Sequence, residues 1–202
     1  MGQCVEAEMS RLLTMVCTQR REQAMKFRFP FGRFACLKSY TMLQQCINEI
    51  LMHSEQSLRP FQEQLSDWNG EFGYTDYGKP FMLNRSGSRI EGVDFSISHC
   101  KNAIAVVLSD RPVGVDVESF RHAEEALLRR TMNPEEQGEV RAAADPAEAF
   151  TRLWTRKEAL LKLRGTGLVD DLHSVLIPNS EHPITLETTV NREKQYVWTL
   201  AY

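Results

Sequence analysis

Apolar and polar residues alternate along the chain from Val113 to Glu118. Val113, Val115 and Val117 alternate with Gly114, Asp116 and Glu118, a period of two that predicts a half-buried strand. Both carboxylates therefore lie on the same face of that strand. Two adjacent like charges raise each other's pKa unless a cation lies between them, and such oxygen ligands suit Mg²⁺.

A second pattern predicts an amphipathic helix after Asp145-Pro146, a sequence typical of a helix start. Phe150, Trp154 and Leu161 fall on one arc of this helix. Lys157 falls inside the apolar arc and Glu158 at its edge, with Lys162 one turn beyond Glu158. From this helix alone, a surface ion pair is the simpler interpretation of these charges, and a third metal-binding carboxylate is the alternative.

The remaining patterns predict further helices and strands. We expect a helix from Arg20 that ends before a loop at Pro30-Phe31-Gly32, then a long core helix from Arg33 to His53. Residues 1–18 show only weak helical spacing, and a strand stays possible. Further elements are predicted as follows: a mixture of strands and turns over 68–79, a hairpin over 93–108, helices over 124–130 and from Asn133-Pro134, and strands over 172–177, 185–189 and 196–202.

Composition excludes several classes of protein. The 202 residues are 42% hydrophobic and 25% charged, as in a globular protein with one large or two small domains. The net charge of -3 gives no reason to expect nucleic-acid binding. Five cysteines without CxxC spacing indicate reduced thiols. Neither a signal peptide nor a membrane span is evident, so we expect a cytoplasmic protein.

Three motifs stand in order along the chain and together carry a family resemblance. They follow Gly78-Lys79-Pro80 and are Asp94-Phe-Ser-Ile-Ser98-His99, Gly114-Val-Asp116-Val-Glu118 and Trp154-Thr-Arg-Lys157-Glu158-Ala-Leu-Leu-Lys162-Leu-Arg-Gly165-Thr-Gly167-Leu. This order closely resembles the 4'-phosphopantetheinyl transferase superfamily. The length resembles its surfactin-type branch rather than the short holo-acyl-carrier-protein synthase branch.

The resemblance implies an α+β pseudodimer, in which two similar α+β subdomains in one chain flank a single active site. The subdomains would be residues 1–109 and 110–202, and the protein a monomer. The implied reaction moves the 4'-phosphopantetheine arm of coenzyme A to a serine of an apo carrier protein and releases adenosine 3',5'-bisphosphate. The carrier could serve fatty acid, polyketide or peptide synthesis.

The resemblance also implies roles for individual residues. Asp116, Glu118 and Glu158 would bind Mg²⁺, and Lys162 would bind the pyrophosphate. Glu158, or a metal-bound water that it orients, would accept the serine proton. The residues implied at the adenosine phosphates are Lys79, Ser98, His99 and Arg33, with Lys38 a competing candidate for the last position.

Two further residues of the helix motif are expected to support the site: Trp154 by packing the helix, and Lys157 by bridging to the other half or to a phosphate. The basic residues between Arg20 and Lys38 could form a docking surface for acidic carriers as readily as a phosphate pocket. Two other functions stay open: a non-catalytic coenzyme A-binding partner, and a Mg²⁺-dependent pyrophosphate hydrolase.

Overall fold

The computed structural model describes residues 2–167, 171–177 and 183–202. Helices and strands both contribute to the fold, so the predicted α+β class is confirmed. In chain order the elements are α1 (Gly2–Met15), α2 (Thr18–Met25), α3 (Pro30–Met52), a 3₁₀ turn (Gln56–Leu58), α4 (Arg59–Ser66), β1 (Trp68–Tyr74), β2 (Pro80–Asn84), β3 (Asp94–His99), β4 (Ile104–Ser109), β5 (Gly114–Ser119), α5 (Glu125–Thr131), α6 (Pro134–Ala142), α7 (Pro146–Arg164), β6 (Leu186–Asn191) and β7 (Tyr196–Ala201).

The strands form three small antiparallel sheets. β1 pairs with β2, β3 pairs with β4 in the predicted hairpin, and the third sheet has the order β5-β7-β6. In the third sheet Gly114 lies opposite Ala201 and Ser119 opposite Tyr196. The strand with the two carboxylates is therefore an edge strand of its sheet, and its other edge faces β3.

The first half of the chain packs its core around α3, which contacts α1, α2, α4 and β4. Leu37, Tyr40 and Leu43 of α3 are fully buried together with Phe72 of β1 and Phe95 of β3. Burial of several large apolar side chains on one helix face is the main favourable contribution to folding here. The long core helix predicted from the spacing of apolar residues is confirmed.

The second half packs its sheet against α7, which contacts both β5 and β7. Asp145 caps the start of α7 by accepting hydrogen bonds from the amides of Ala147 and Glu148, and Pro146 occupies the first turn. At the other end Gly165 adopts the left-handed conformation with φ 68°. Both ends of the helix are those that the sequence predicted.

Several predicted elements are corrected by the structure. Pro30 begins α3 rather than ending the preceding helix, so Phe31 and Gly32 lie in its first turn and not in a loop. A proline has no amide hydrogen to lose in a first turn, which makes it an ordinary helix start. The weak pattern at the start of the chain corresponds to helix α1 (Gly2–Met15) rather than to a strand, and α4 and β2 were not predicted.

The predicted strand over residues 172–177 is wrong, because no strand occurs there in the part of the chain that the structure describes. Leu172 and Val175 instead pack against Leu160 and Leu161 of α7. Their apolar character reflects burial beneath a helix rather than pairing in a sheet. Among the described residues no helix is both long enough and apolar enough to cross a membrane. The predicted boundary between two subdomains at residue 109 stays a prediction.

Candidate active site

Asp116 and Glu118 lie on the face of β5 that α7 covers. The same face carries Gly114, where an added Cβ would lie 2.0 Å from the carbonyl oxygen of Ala159. Helix and strand therefore touch backbone to backbone at this point. The contact brings the neighbouring Glu158 to the side of the strand that carries the two carboxylates.

Lys162 forms the central ion pair of this cluster. Its Nζ donates to Asp116 Oδ1 at 2.7 Å, and the Asp116 side chain is only 4% exposed. The pKa of Glu158 lies above its usual value, mainly because burial disfavours its charged form and also because Asp116 repels it, while Lys162 acts in the opposite direction. The structure thus brings Asp116, Glu158 and Lys162 together, and their predicted roles stay predictions.

The cluster holds more negative charge than its cations compensate. Burial, and then repulsion by Asp116 and Glu158, raise the pKa of Glu118 to about 7, although Lys162 and Arg121 lower it. Asp116 Oδ2 is buried and has no hydrogen-bond partner among the described residues. Burial of an unpaired carboxylate oxygen is costly, so this position favours an additional cation.

The three carboxylates offer suitable ligands for Mg²⁺ but do not surround a common point. No group of three acidic, histidine or cysteine side chains among residues 2–167, 171–177 and 183–202 is arranged to hold a metal ion. Lys162 takes one oxygen of Asp116 instead. The donor chemistry and the unpartnered Asp116 Oδ2 fit a hard divalent cation, whose binding would require these side chains to rearrange.

Ser98 of β3 contacts the same aspartate. Its Oγ donates to Asp116 Oδ1 at 2.7 Å and accepts a hydrogen bond from the amide of Val117 at 3.2 Å. Ser98 is buried, at 8% exposure. Its single hydroxyl hydrogen is therefore already used within the protein, and its predicted contact with the coenzyme stays a prediction.

His99 lies exposed at the end of β3, where its ring forms a T-shaped contact with the ring of Phe31, with 5.9 Å between ring centroids. The pKa of His99 is lowered by partial burial and then by repulsion from Lys162 and Arg20. Arg33, on the first turns of α3, donates from Nε to the carbonyl oxygen of Phe27 at 2.9 Å. The predicted roles of His99 and Arg33 at the coenzyme phosphates stay predictions.

Arg20 is a residue near the site that sequence reasoning did not single out. It donates from Nε to the carbonyl oxygen of Cys36 at 2.9 Å, and its charge acts on His99. The basic composition of residues 20–38 was the available signal. Composition alone does not show which of the basic side chains between residues 20 and 38 lies near His99.

Lys79 lies where four elements meet. Its Nζ donates to Asp94 Oδ2 at 2.6 Å, with longer contacts to the carbonyl oxygens of Leu163 at 3.3 Å and Val113 at 3.4 Å. Sequence reasoning placed Lys79 near the coenzyme and did not identify Asp94 as its partner. Within the described structure its ammonium group is used to join the two halves of the chain.

Lys157 differs from its expected role. Its side chain is 0% exposed and donates at 2.7 Å both to Glu136 Oε2 and to the carbonyl oxygen of Leu172. Both partners belong to the C-terminal half, so the expectation of a bridge to the other half or to a phosphate was wrong. Trp154, by contrast, packs the helix as expected, with its ring stacked on Phe150.

A cavity of about 310 Å³ adjoins Glu158 and Lys162. It lies between the Gly78-Lys79-Pro80 turn, strand β3 and the C-terminal turns of α7, and its other lining residues include Phe95, Ile97 and Leu161. The cavity therefore lies beside the acidic cluster, and a single active site between two subdomains stays a prediction. Its volume lies at the lower end of the range for small-molecule pockets.

Known proteins that are similar to this chain carry the name of one family. Residues 112–202 match the family model of the 4'-phosphopantetheinyl transferase superfamily. A 4'-phosphopantetheinyl transferase of Bacillus subtilis is 27% identical over 131 residues, which cover 58% of this chain and 56% of the relative. The chain spans little more than half the length of that relative.

Two relatives align over more of their length. The 4'-phosphopantetheinyl transferase psf-1 of Bacillus pumilus is 25% identical over 197 residues, 90% of this chain and 76% of the relative. The 4'-phosphopantetheinyl transferase Sfp of Bacillus subtilis strain 168 is 24% identical over 187 residues, covering 84% and 80%. The predicted resemblance, including that to the surfactin-type branch, is confirmed, and all three relatives carry the name of the enzyme class that the sequence predicted.

Proposed function

We propose that the protein transfers the 4'-phosphopantetheine arm of coenzyme A to a serine of an apo acyl, polyketide or peptidyl carrier protein, with release of adenosine 3',5'-bisphosphate. The observation that carries the proposal is the cluster of Asp116, Glu118, Glu158 and Lys162 beside a cavity. The names of the relatives point to the same reaction.

Asp116, Glu118 and Glu158 are the residues that would hold Mg²⁺. The unpartnered Asp116 Oδ2 and the raised pKa of Glu118 support a cation at this position. When bound, the ion would supply Lewis-acid stabilisation of the charge on the pyrophosphate oxygens.

Lys162 would hold the pyrophosphate, because its ammonium group lies beside the acidic cluster and is 30% exposed. The serine oxygen attacks the β-phosphorus, and the bond from that phosphorus to the bridging oxygen breaks. The developing charge passes to the leaving bisphosphate, where a fixed cation stabilises it. Glu158, which lies beside Asp116 and Lys162, takes the serine proton directly or through a water.

The adenosine end of coenzyme A would lie toward His99 and Arg33, with Lys79 and Ser98 behind it. His99 is exposed and close to two cations, which is favourable for a phosphate. The two subdomains, 1–109 and 110–202, would meet at this site. We also propose that the protein acts as a monomer, since all the residues needed lie on one chain.

The direct test is incubation of the protein with coenzyme A, Mg²⁺ and an apo carrier protein, followed by mass spectrometry of the carrier. Transfer adds one phosphopantetheine group to the carrier serine. Asp116→Ala and Glu158→Ala should abolish transfer while the variants stay folded. Glu135→Ala, an exposed carboxylate in the first turn of α6, is the matched control and should retain activity.

The same experiment distinguishes the two other functions. Free phosphopantetheine without modified carrier would indicate a pyrophosphate hydrolase. A rise in melting temperature with coenzyme A but no product of either kind would indicate a binding partner, since a ligand that binds only the folded state stabilises it whether or not it reacts. Either result would refute the proposed transfer.

A further inference from the structure

Strands β3 and β5 are joined by a regular series of side-chain hydrogen bonds. They belong to different sheets, yet three alternate residues of β3 accept hydrogen bonds from three alternate amides, two in β5 and one in the residue just before it. These bonds run from Val113 N to Asp94 Oδ2 at 2.9 Å, from Val115 N to Ser96 Oγ at 3.0 Å and from Val117 N to Ser98 Oγ at 3.2 Å.

The separation in sequence is 19 residues for each of the three bonds. A constant separation means that the two strands run parallel and in register. In a normal sheet the amides of β5 would bond to backbone carbonyls of a neighbour about 4.8 Å away. Here short polar side chains take the place of the carbonyls, so the buried amides are satisfied while the strands stay further apart.

This side-chain ladder ends at the candidate active site. Its last member, Ser98, also donates to Asp116 Oδ1, which Lys162 contacts as well. Both bonds go to the same oxygen, and Asp116 Oδ2 has no partner among the described residues. The ladder therefore fixes which carboxylate oxygen is free to receive a ligand.

The other end of the ladder is tied to α7 by Lys79. The ammonium group bonds to Asp94 Oδ2, which also accepts from Val113, and it reaches the carbonyl oxygen of Leu163 in the last turn of α7. A cation at this end of a helix satisfies an unpaired carbonyl and interacts favourably with the helix dipole. Lys162 belongs to the same last turn of α7, so Lys79 restrains the helix end that carries the site.

We propose that Asp94, Ser96 and Ser98, together with Lys79, are positioning residues that set the distance and register between the two halves of the active site. The role in transfer rests on the function proposed above, whereas the ladder itself does not. The side chains of Lys79 and Asp94 are only 17% and 15% exposed. A lysine held in this way acts through Asp94 and α7 rather than by contact with coenzyme A.

The first test measures amide hydrogen exchange of Val113, Val115 and Val117 in the full chain. Each acceptor is replaced in turn, by Asp94→Ala, Ser96→Ala or Ser98→Ala. Each substitution should accelerate exchange of its own partner amide, that of Val113, Val115 or Val117 respectively, at least tenfold more than exchange of the other two amides. Local loss of one acceptor gives this residue-specific pattern, whereas general destabilisation accelerates all three equally. Equal acceleration, or none, would overturn the ladder.

The second test separates positioning from coenzyme binding by comparing Lys79→Met, Asp94→Asn and the double variant. Positioning predicts that each single variant lowers kcat at least tenfold and leaves the Kd for coenzyme A, measured by calorimetry without carrier, within about threefold. It also predicts that the double variant is no slower than the slower single variant, since both remove one interaction. Lys194→Met, an exposed lysine in the β6–β7 turn, is the control for charge.

Two results would refute the role of Lys79. A tenfold loss of coenzyme A affinity in Lys79→Met but not in Asp94→Asn would make Lys79 a coenzyme ligand. Multiplicative effects of the two substitutions on kcat would show that the residues act independently. If the unmodified chain transfers nothing, the proposed function fails, and the exchange measurements still decide whether the ladder exists.

Discussion

The backbone contact between Gly114 and α7 leads to a sharp prediction for Gly114→Ala. An added Cβ would lie 2.0 Å from the carbonyl oxygen of Ala159 and 2.5 Å from the amide nitrogen of Leu163. Ordinary contact begins at 3.4 Å, so the first approach is about 1.4 Å too short for such a contact. Both atoms belong to the helix backbone and cannot rotate away.

The strain can be relieved only if α7 moves away from β5 by roughly 1 Å. Overpacking of this kind costs about 1–3 kcal/mol, and we expect a value near the upper end because rigid backbone is involved. For a chain of this size each kcal/mol lowers the melting temperature by about 2–4 °C. Gly114→Ala should therefore melt roughly 6–12 °C below the unmodified protein.

The effect on transfer should be larger than the effect on folding. Ala159 is adjacent to Glu158 and one turn before Lys162, so movement of the helix displaces both from Asp116. A misplacement of about 1 Å at a catalytic group can lower the rate on the order of 100-fold. We expect a loss of that size in kcat/KM at a temperature well below the melting transition of the variant.

Gly138→Ala is the matched control. Gly138 lies inside α6, and nothing lies within 4 Å of a Cβ added there. The same substitution should stabilise the protein by about 0.5–1 kcal/mol, because alanine is the better helix former, and should leave transfer unchanged. If Gly114→Ala matched Gly138→Ala in stability and in kcat/KM, the close packing of α7 on β5 would be refuted.

Three further predictions follow from individual contacts. Lys157→Met leaves the buried carboxylate of Glu136 without its cation. This substitution should lower the free energy of unfolding, measured in urea, by about 3–5 kcal/mol. A loss below about 1 kcal/mol would contradict a buried ion pair between Lys157 and Glu136. Asp145→Ala removes the cap of α7 and should cost about 1 kcal/mol, measured by thermal melting, whereas no change would show that the cap is dispensable. The pKa of His99 in the folded protein lies below its usual value of 6.5. Below pH 6.5 the unfolded chain therefore binds a proton at His99 more readily than the folded chain does. The stability of the folded protein should fall as the pH falls below about 6.5. His99→Gln should therefore show a smaller drop in melting temperature between pH 7 and pH 5.5 than the unmodified chain, and equal drops would contradict the shift.

Elements with a regular period or a clear terminal signal were predictable from the sequence. The alternation around Asp116 predicted β5 and the common face of its two carboxylates, and Asp145-Pro146 with Gly165 marked the ends of α7. These signals are local, because each depends on residues within one or two turns. The order of three motifs along the chain then carried the family resemblance.

Features that depend on contacts between distant residues were not predictable in this way. The bond from Lys79 to Leu163 joins residues 84 apart in sequence, and nothing near Lys79 indicates Asp94 as its partner. Lys157 was misjudged for the same reason, since its partner Glu136 is on another helix. The apolar run at 172–177 was read as a strand because a period alone cannot distinguish pairing from burial under a helix.

The side-chain ladder also determines what would happen if the chain were divided between its halves. A fragment beginning at residue 110 would lose the acceptors of Val113, Val115 and Val117, and would expose three free amides on an apolar strand. An open edge of this kind pairs readily with other chains and promotes aggregation. We therefore expect that fragment to be insoluble when produced alone, and to be recovered in soluble form when residues 1–109 are produced with it.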